Sequence, residues 1–475
     1  MKPYKILIFI ILVISTLGAL CYFFPKEGVK VGKAEIRFPS LETVMVGQSE
    51  KKGVVREKDT MSLEHLESLK DTLKQYKVAL TEQVGHFYVP NDDVTFFDAV
   101  FAKMAQAKKN KQIIRVLHYG DSQIEMDRLS GNLRTFFQSK FGGGGPGLVP
   151  VEQTVPSYAL SQYSSGAFTL YSSYGDGAHA GGNYGLMAKC YRLTGSGFFT
   201  ANASTHKGTD NRVKHFSNIT LLYNDHVGNF QATLKDRRGH YTQLCSNAMK
   251  GIHTCHWVMD SVTSSIQISM QGTADIYGIM LDNGYGVSVD NIPMRGCSGT
   301  QFTMIKDSIL RSCYRQSNVG LIILQFGGNS VPAMTTSKAI QSYCNRMSTE
   351  IRYIKRCYPD AKILFIGPSD MSVRRGGILQ TYPKLPQLVD SLRTMALRNG
   401  AAYWDLYDVM GGENSMIAWV EHGLAGPDYI HFTPAGANKV GKSLADSFNT
   451  AYEFYLMRKK MDKEQFDNLW NVSER

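Results

Sequence analysis

The sequence predicts an α/β domain interrupted by an inserted β-sandwich domain. Three observations lead there. Apolar strand-like runs alternate with helix-period stretches from about Gln112, and again after about Asn291, as parallel strands with crossover helices require. Between 150 and 288 the chain is instead rich in Ser, Thr, Tyr and Gly, with short strand-like runs separated by turn signals. Finally, 475 residues exceed what one ordinary core needs, so two to three domains, or one domain with a large insertion, are expected.

Composition narrows the class further. With 43% hydrophobic and only 20% charged residues the chain folds rather than stays disordered. Fifty-two Lys and Arg against 41 Asp and Glu leave a formal charge of +11, which favours anionic surroundings such as lipid head groups or acidic wall polymers. There is no GxxxxGK[ST], no zinc-knuckle spacing and no basic run interleaved with stacking aromatics, so no nucleic-acid partner is expected.

Taken in chain order, Lys2 and Lys5 precede an uncharged apolar run from Ile6 to Phe24. As a helix that run reaches about 28 Å, close to the hydrocarbon thickness of a bilayer. Gly18-Ala19-Leu20 makes a poor cleavage site and Leu20 is bulky before Cys21, so a membrane anchor is preferred to a cleaved signal or a lipidated cysteine. The cationic end stays in the cytoplasm and the remaining chain lies outside it, periplasmic or at the cell surface. Disulfides persist in that setting. Cys245 and Cys255 flank an expected hairpin and are the favoured pair, while His253 and His256 beside them fit no structural zinc spacing and read as surface histidines.

Residues 1–25 are thus the anchor or signal segment, and 26–88 a polar stalk followed by an amphipathic helix. On that helix Leu66, Leu69, Leu73, Tyr76 and Leu80 share one face. The α/β domain is expected over 89–149 and 289–475, and the β insertion over 150–288. Its first strand is Ile113-Ile114-Arg115-Val116-Leu117, followed by a helical pattern through Met126, Leu129, Leu133 and Phe136. Val319 to Gln325 and Lys362 to Ile366 read as buried parallel strands, with helices near 337–356 and 383–398 between and after them.

Four blocks carry chemistry. Gly120-Asp121-Ser122-Gln123 lies at a strand-to-helix turn, where a serine N–H and a helix amino end both face an arriving carbonyl oxygen, although an ordinary helix cap explains the tetrapeptide equally well. Asp428 and His431 lie three apart in the loop before a helix capped by Thr433 and Pro434. There a carboxylate can fix the imidazole tautomer that accepts a serine proton. His422 and Asp405 are rivals without so clear a loop setting. Asn329 ends the apolar run from Val319, where open α/β sheets place ligands. Arg295-Gly296-Cys297-Ser298-Gly299 opens the resumed α/β region and supplies glycine N–H groups of the kind an oxyanion hole uses.

Serine in a GDS motif, then glycine, then asparagine in G-x-N, then Asp-x-x-His is a pattern that resembles the SGNH, or GDSL-type, hydrolases. The resemblance spans about 112 to 457 and implies a flavodoxin-like α/β/α fold. It implies Ser122 as nucleophile, His431 as general base and Asp428 as its orienting partner. The Ser122 and Gly299 N–H groups and the Asn329 amide would form the oxyanion hole, with Gly296 an alternative to Gly299. Gln123 stands where Leu is usual, and Ser330 where Asp is common. A large β domain between the serine and glycine blocks resembles the bacterial peptidoglycan O-acetylesterases, whose insertion is carbohydrate-binding-like. This implies an extracytoplasmic serine esterase acting on an O-acetylated polysaccharide without metal or cofactor. An O-acetyltransferase using the same triad, or a non-catalytic anchored carbohydrate-binding wall protein, is the alternative.

Overall fold

The computed structural model describes residues 63–175, 180–236, 242–247 and 249–472, together with a few positions between 12 and 36. The expected membrane segment and stalk lie largely outside the described residues. Among those described, no helix is long and apolar enough to cross a membrane. The chain divides into two compact units, Met1–Leu69 and Lys70–Arg475. In the first, β1 (Val29–Val31) and β2 (Ala34–Ile36) pair antiparallel. Helix α1 (Leu63–Thr81) carries the expected apolar face, and within the second unit its Tyr76 ring packs 5.4 Å from that of Phe454.

The second unit holds a six-stranded sheet. Its strands are β3 (Phe87–Tyr88), β4 (Ile113–Gly120), β13 (Gly286–Pro293), β14 (Val319–Gln325), β15 (Lys362–Ile366) and β18 (Ala402–Trp404), in the order β13-β4-β14-β15-β18-β3. All pairings are parallel except that of the edge strand β3. Counted along the chain, the five parallel strands lie in the order 2-1-3-4-5, the flavodoxin-like arrangement, with its switch point between β4 and β14. Because side chains alternate across a strand, Ile114 and Val116 join one apolar layer and Leu117 and Tyr119 the other. Helices α2 (Asp98–Ala107), α3 (Ser130–Phe141) and α9 (Pro434–Arg458) cover the first face. The second is covered by α4 (Asp307–Ser317), α5 (Ser337–Cys357) and α6 (Leu385–Arg398). Shorter pieces complete the unit: the hairpin β16 (Ser372–Arg375) and β17 (Ile378–Thr381), α7 (Leu406–Met410), α8 (Ser415–Glu421) and α10 (Lys463–Val472).

The crossover from β4 to β13 contains α3 and then the insertion. Its strands are β5 (Gly147–Val149), β6 (Leu160–Ser172), β7 (Lys189–Ala203), β8 (Phe216–Asp225), β9 (Gln231–Asp236), β10 (Thr242–Ser246), β11 (Gly251–Thr263) and β12 (Ser265–Asp282). They form one antiparallel sheet built on β12, which pairs with β7 and β9 over its first half and with β8 and β5 over its second. Gly272 and Gly278, both at positive φ, and a register shift between Ile276 and Gly278 let this long strand change partners midway. Cys245 and Cys255 are bridged, but not across the expected hairpin: β10 pairs with β9, and β11 with β8. Fully buried Arg115 of β4 pairs with Asp282 of β12 and Asp290 of β13, joining the two sheets by charge.

One local expectation needs correcting. The helix after Ser122 does not begin at once: Met126 adopts a left-handed conformation at φ 63°, and the regular helix starts only at Ser130. Leu133, Phe137 and Phe141 are then the buried face, in place of Met126 and Phe136.

Candidate active site

The nucleophile turn is built by β4. Its buried residues end at Gly120, and Asp121 caps the short helical stretch Ser122–Asp127 by accepting the Gln123 N–H at 3.0 Å. Burial pushes the Asp121 carboxyl up to about 6, and that one N–H bond offsets only part of the rise.

Ser122 Oγ lies 2.8 Å from Nε2 of His431, 309 residues further along the chain. The imidazole Nδ1 in turn lies 2.7 Å from Asp428 Oδ2. A carboxylate can only accept, so Nδ1 carries the hydrogen and Nε2 is left to receive the serine proton. The loop is tight: Tyr429 sits at φ 55°, and Asp428 Oδ1 also accepts the N–H groups of Ile430 at 3.0 Å and His431 at 3.1 Å. Burial pushes Asp428 up, but the bonds from His431 and Ile430 outweigh it and hold this carboxyl below its ordinary range. Thr433 accepts the Gly436 N–H and starts α9 with Pro434 in its first turn.

Two further side chains, not singled out from the sequence as site residues, fasten the serine turn to the histidine loop. Gln123 donates to the Ile430 carbonyl at 2.7 Å and accepts the Phe432 N–H at 3.3 Å, so it grips the residues on either side of His431. Arg128 donates to the carbonyls of Ser122 at 2.6 Å, Phe432 at 3.0 Å and Glu125 at 3.0 Å. The only trace in the sequence is Gln123 itself, standing where the related pattern has Leu.

Asn329 follows β14 across the switch point. It shares with Ser122 and His431 a cavity of about 170 Å³, walled also by Gly367, Pro368 and Met371, with room for a small acyl group. Its amide donates one hydrogen to the Cys297 carbonyl at 3.2 Å. In the Gly299 loop, burial pushes the Cys297 thiol up to about 11, the nearby Gly299 and Ser298 N–H groups hold back part of that rise, and the thiol donates to Gln301 Oε1 at 2.7 Å. A Cβ on Gly299, at φ 85°, would stand 2.8 Å from the Phe326 ring, whereas Gly296, at φ 73°, faces open space. Arg295 meets Glu125 through two 2.6 Å bonds and ties this loop to the serine turn. The rivals stand apart from this chain of bonds. Asp405 caps α7 and pairs with Arg393, and His422 closes α8 on the Ala418 carbonyl.

With this geometry in view, residues 260–439 match the GDSL-like Lipase/Acylhydrolase family. That stretch carries the GDSL-type family, and the chain is a carboxylester hydrolase. The matched stretch holds Gly299, Asn329, Asp428 and His431, while Ser122 lies before it and meets His431 only through the fold. No curated protein matches the hydrolase. Among solved structures it is similar to a peptidoglycan O-acetylesterase at 21% identity, with a TM-score of 0.62 over 75% of this chain and 96% of that one. A family two carbohydrate esterase from Cellvibrio japonicus aligns at 10% identity and a TM-score of 0.26, over 62% of the hydrolase and 99% of that chain. The first of these likenesses establishes the α/β fold with its β insertion.

Proposed function

We propose that this hydrolase removes O-acetyl groups from an extracytoplasmic polysaccharide, peptidoglycan being the substrate we name, through an acyl-enzyme on Ser122. The observation that carries the reading is the unbroken relay from Ser122 Oγ through His431 to Asp428, at 2.8 and 2.7 Å. As Oγ attacks the acetyl carbonyl, its proton passes to His431 Nε2, and Asp428 stabilises the imidazolium. The anionic tetrahedral oxygen is met by the Ser122 N–H, by the second amide hydrogen of Asn329 and by a glycine N–H of the 296–299 loop. Collapse breaks the ester bond, and the sugar oxygen leaves with the proton from His431. Water, deprotonated by the same imidazole, then releases acetate and restores Ser122.

The small cavity suits a short acyl group, and the likeness to a peptidoglycan O-acetylesterase supports the polymer. The division into stalk (26–88), hydrolase (89–149 with 289–475) and insertion (150–288) belongs to this proposal. So does an anchor over Ile6 to Phe24, which would hold the enzyme at the membrane near its substrate. The test is acetate release from O-acetylated peptidoglycan, compared with acetylated xylan and a long-chain lipid ester, by the wild-type chain and by Ser122→Ala. Release from peptidoglycan by the wild type and a loss of roughly 10⁴-fold or more in the variant are expected. Preference for the lipid ester overturns the substrate, and an unimpaired Ser122→Ala overturns the mechanism.

A further inference from the structure

A second cavity, of about 500 Å³, opens between the β insertion and the amino end of α9. Its size lies within the range of small-molecule sites. One wall is a pair of rings: His206 lies flat on Tyr158, with centroids 4.1 Å apart and planes 12° from parallel. His206 is exposed, yet it is held in place. Its ring Nδ1 accepts the Gly208 N–H at 3.2 Å, and its backbone N–H donates to Ser204 Oγ at 3.0 Å. The facing wall presents Asn438 and Lys442, one helical turn apart on α9.

Arg128 closes the cavity on the side of the serine turn. Its guanidinium donors are already bound to three backbone carbonyls. Of the acids at the rim, Asp127 and Asp210 are paired to Arg134 and Arg212, while Asp446 lies one turn beyond Lys442 on α9. What the cavity offers a ligand is therefore flat ring surface, with the Asn438 amide, the Lys442 ammonium and the Asp446 carboxylate opposite. That combination suits a saccharide ring, which presents C–H faces to aromatic planes and hydroxyls to polar edges.

We infer that this groove is a second binding site, holding sugar residues of the polymer next to the acetylated one. The inference rests on the proposed polysaccharide substrate. Arg128 both lines the groove and holds the Ser122 carbonyl, so one side chain links the groove to the nucleophile turn.

The test compares 4-nitrophenyl acetate, which has no sugar to place in the groove, with O-acetylated peptidoglycan, for His206→Ala and Tyr158→Ala. On the small ester both variants should match the wild type. On peptidoglycan KM should rise roughly tenfold, the scale of one lost aromatic contact. Wild-type kinetics on both substrates, or equal losses on both, would overturn the groove while leaving the esterase reading in place. A wild-type chain that cleaves the small ester but frees no acetate from peptidoglycan overturns the substrate reading and the groove together. As a check independent of turnover, Ser122→Ala should bind deacetylated glycan fragments more tightly than Ser122→Ala/His206→Ala, and equal binding counts against the inference.

Discussion

The two sides of the catalytic cavity are finished to different degrees. On the serine side every piece is fastened: Asp121 caps the turn, Gln123 and Arg128 tie it to the histidine loop, and Asp428 fixes the ring. On the opposite side the donors look inward. Asn329 gives one hydrogen to the Cys297 carbonyl, and the Cys297 thiol of the same loop donates to Gln301 Oε1 at 2.7 Å. A backbone carbonyl holds one Asn329 hydrogen, and the other is left for a developing negative charge. The contrast teaches that the proton relay is set before substrate arrives, whereas part of the anion cradle is completed by it.

The largest test of this contrast is Asn329→Ala. If its second amide hydrogen meets the oxyanion, kcat on 4-nitrophenyl acetate should fall roughly 10²–10³-fold, the cost of one such donor, with thermal stability little changed. A loss below tenfold would mean that the cradle lies elsewhere. Next in size is the pH dependence of the finished side. The unfolded chain loses the Asp121 proton near the ordinary value of 3.8, whereas the folded chain keeps it to about 6. Between those values unfolding releases a proton, so raising the pH costs stability, on the order of 2–3 kcal/mol in all. Asp121→Asn should flatten that fall in denaturant titrations between pH 4 and 6. Asp428 acts with the opposite sign, because its depressed carboxyl contributes stability that disappears as the pH drops through and below the ordinary carboxylate range.

Much of this was legible in the residues. The runs at 319–325 and 362–366 are apolar on both faces, which only a covered parallel strand tolerates, and both appear where expected. The helix expected near 337–356 appears as Ser337–Cys357 because its apolar residues keep the helical period. The partners of β12 were not legible: an 18-residue strand that changes neighbours midway is decided by tertiary packing, and local alternation is blind to it. The same blindness hid the clamps. Gln123 and Arg128 reach residues some 300 positions away, and the left-handed Met126 between them carries no glycine to announce the turn.

Those hidden clamps give the next prediction. Gln123→Leu restores the residue usual in related sequences but removes both bonds that flank His431. It should lower kcat by about tenfold to a hundredfold with KM nearly unchanged, the cost of a base held loosely. An unchanged kcat would show that Asp428 alone positions the ring. The smallest expected effect separates the two glycines of the unfinished side. Both sit at positive φ, where a Cβ is strained, so each alanine variant should lose about 1 kcal/mol on that account. Gly296 faces open space and should lose no more, whereas Gly299 would drive its new methyl into Phe326 and Met347 and lose about 1–2 kcal/mol beyond that. Equal melting shifts would mean that the 295–300 loop moves freely over Phe326. In that case packing does not fix the Gly299 N–H, and the unfinished side holds no preset glycine donor.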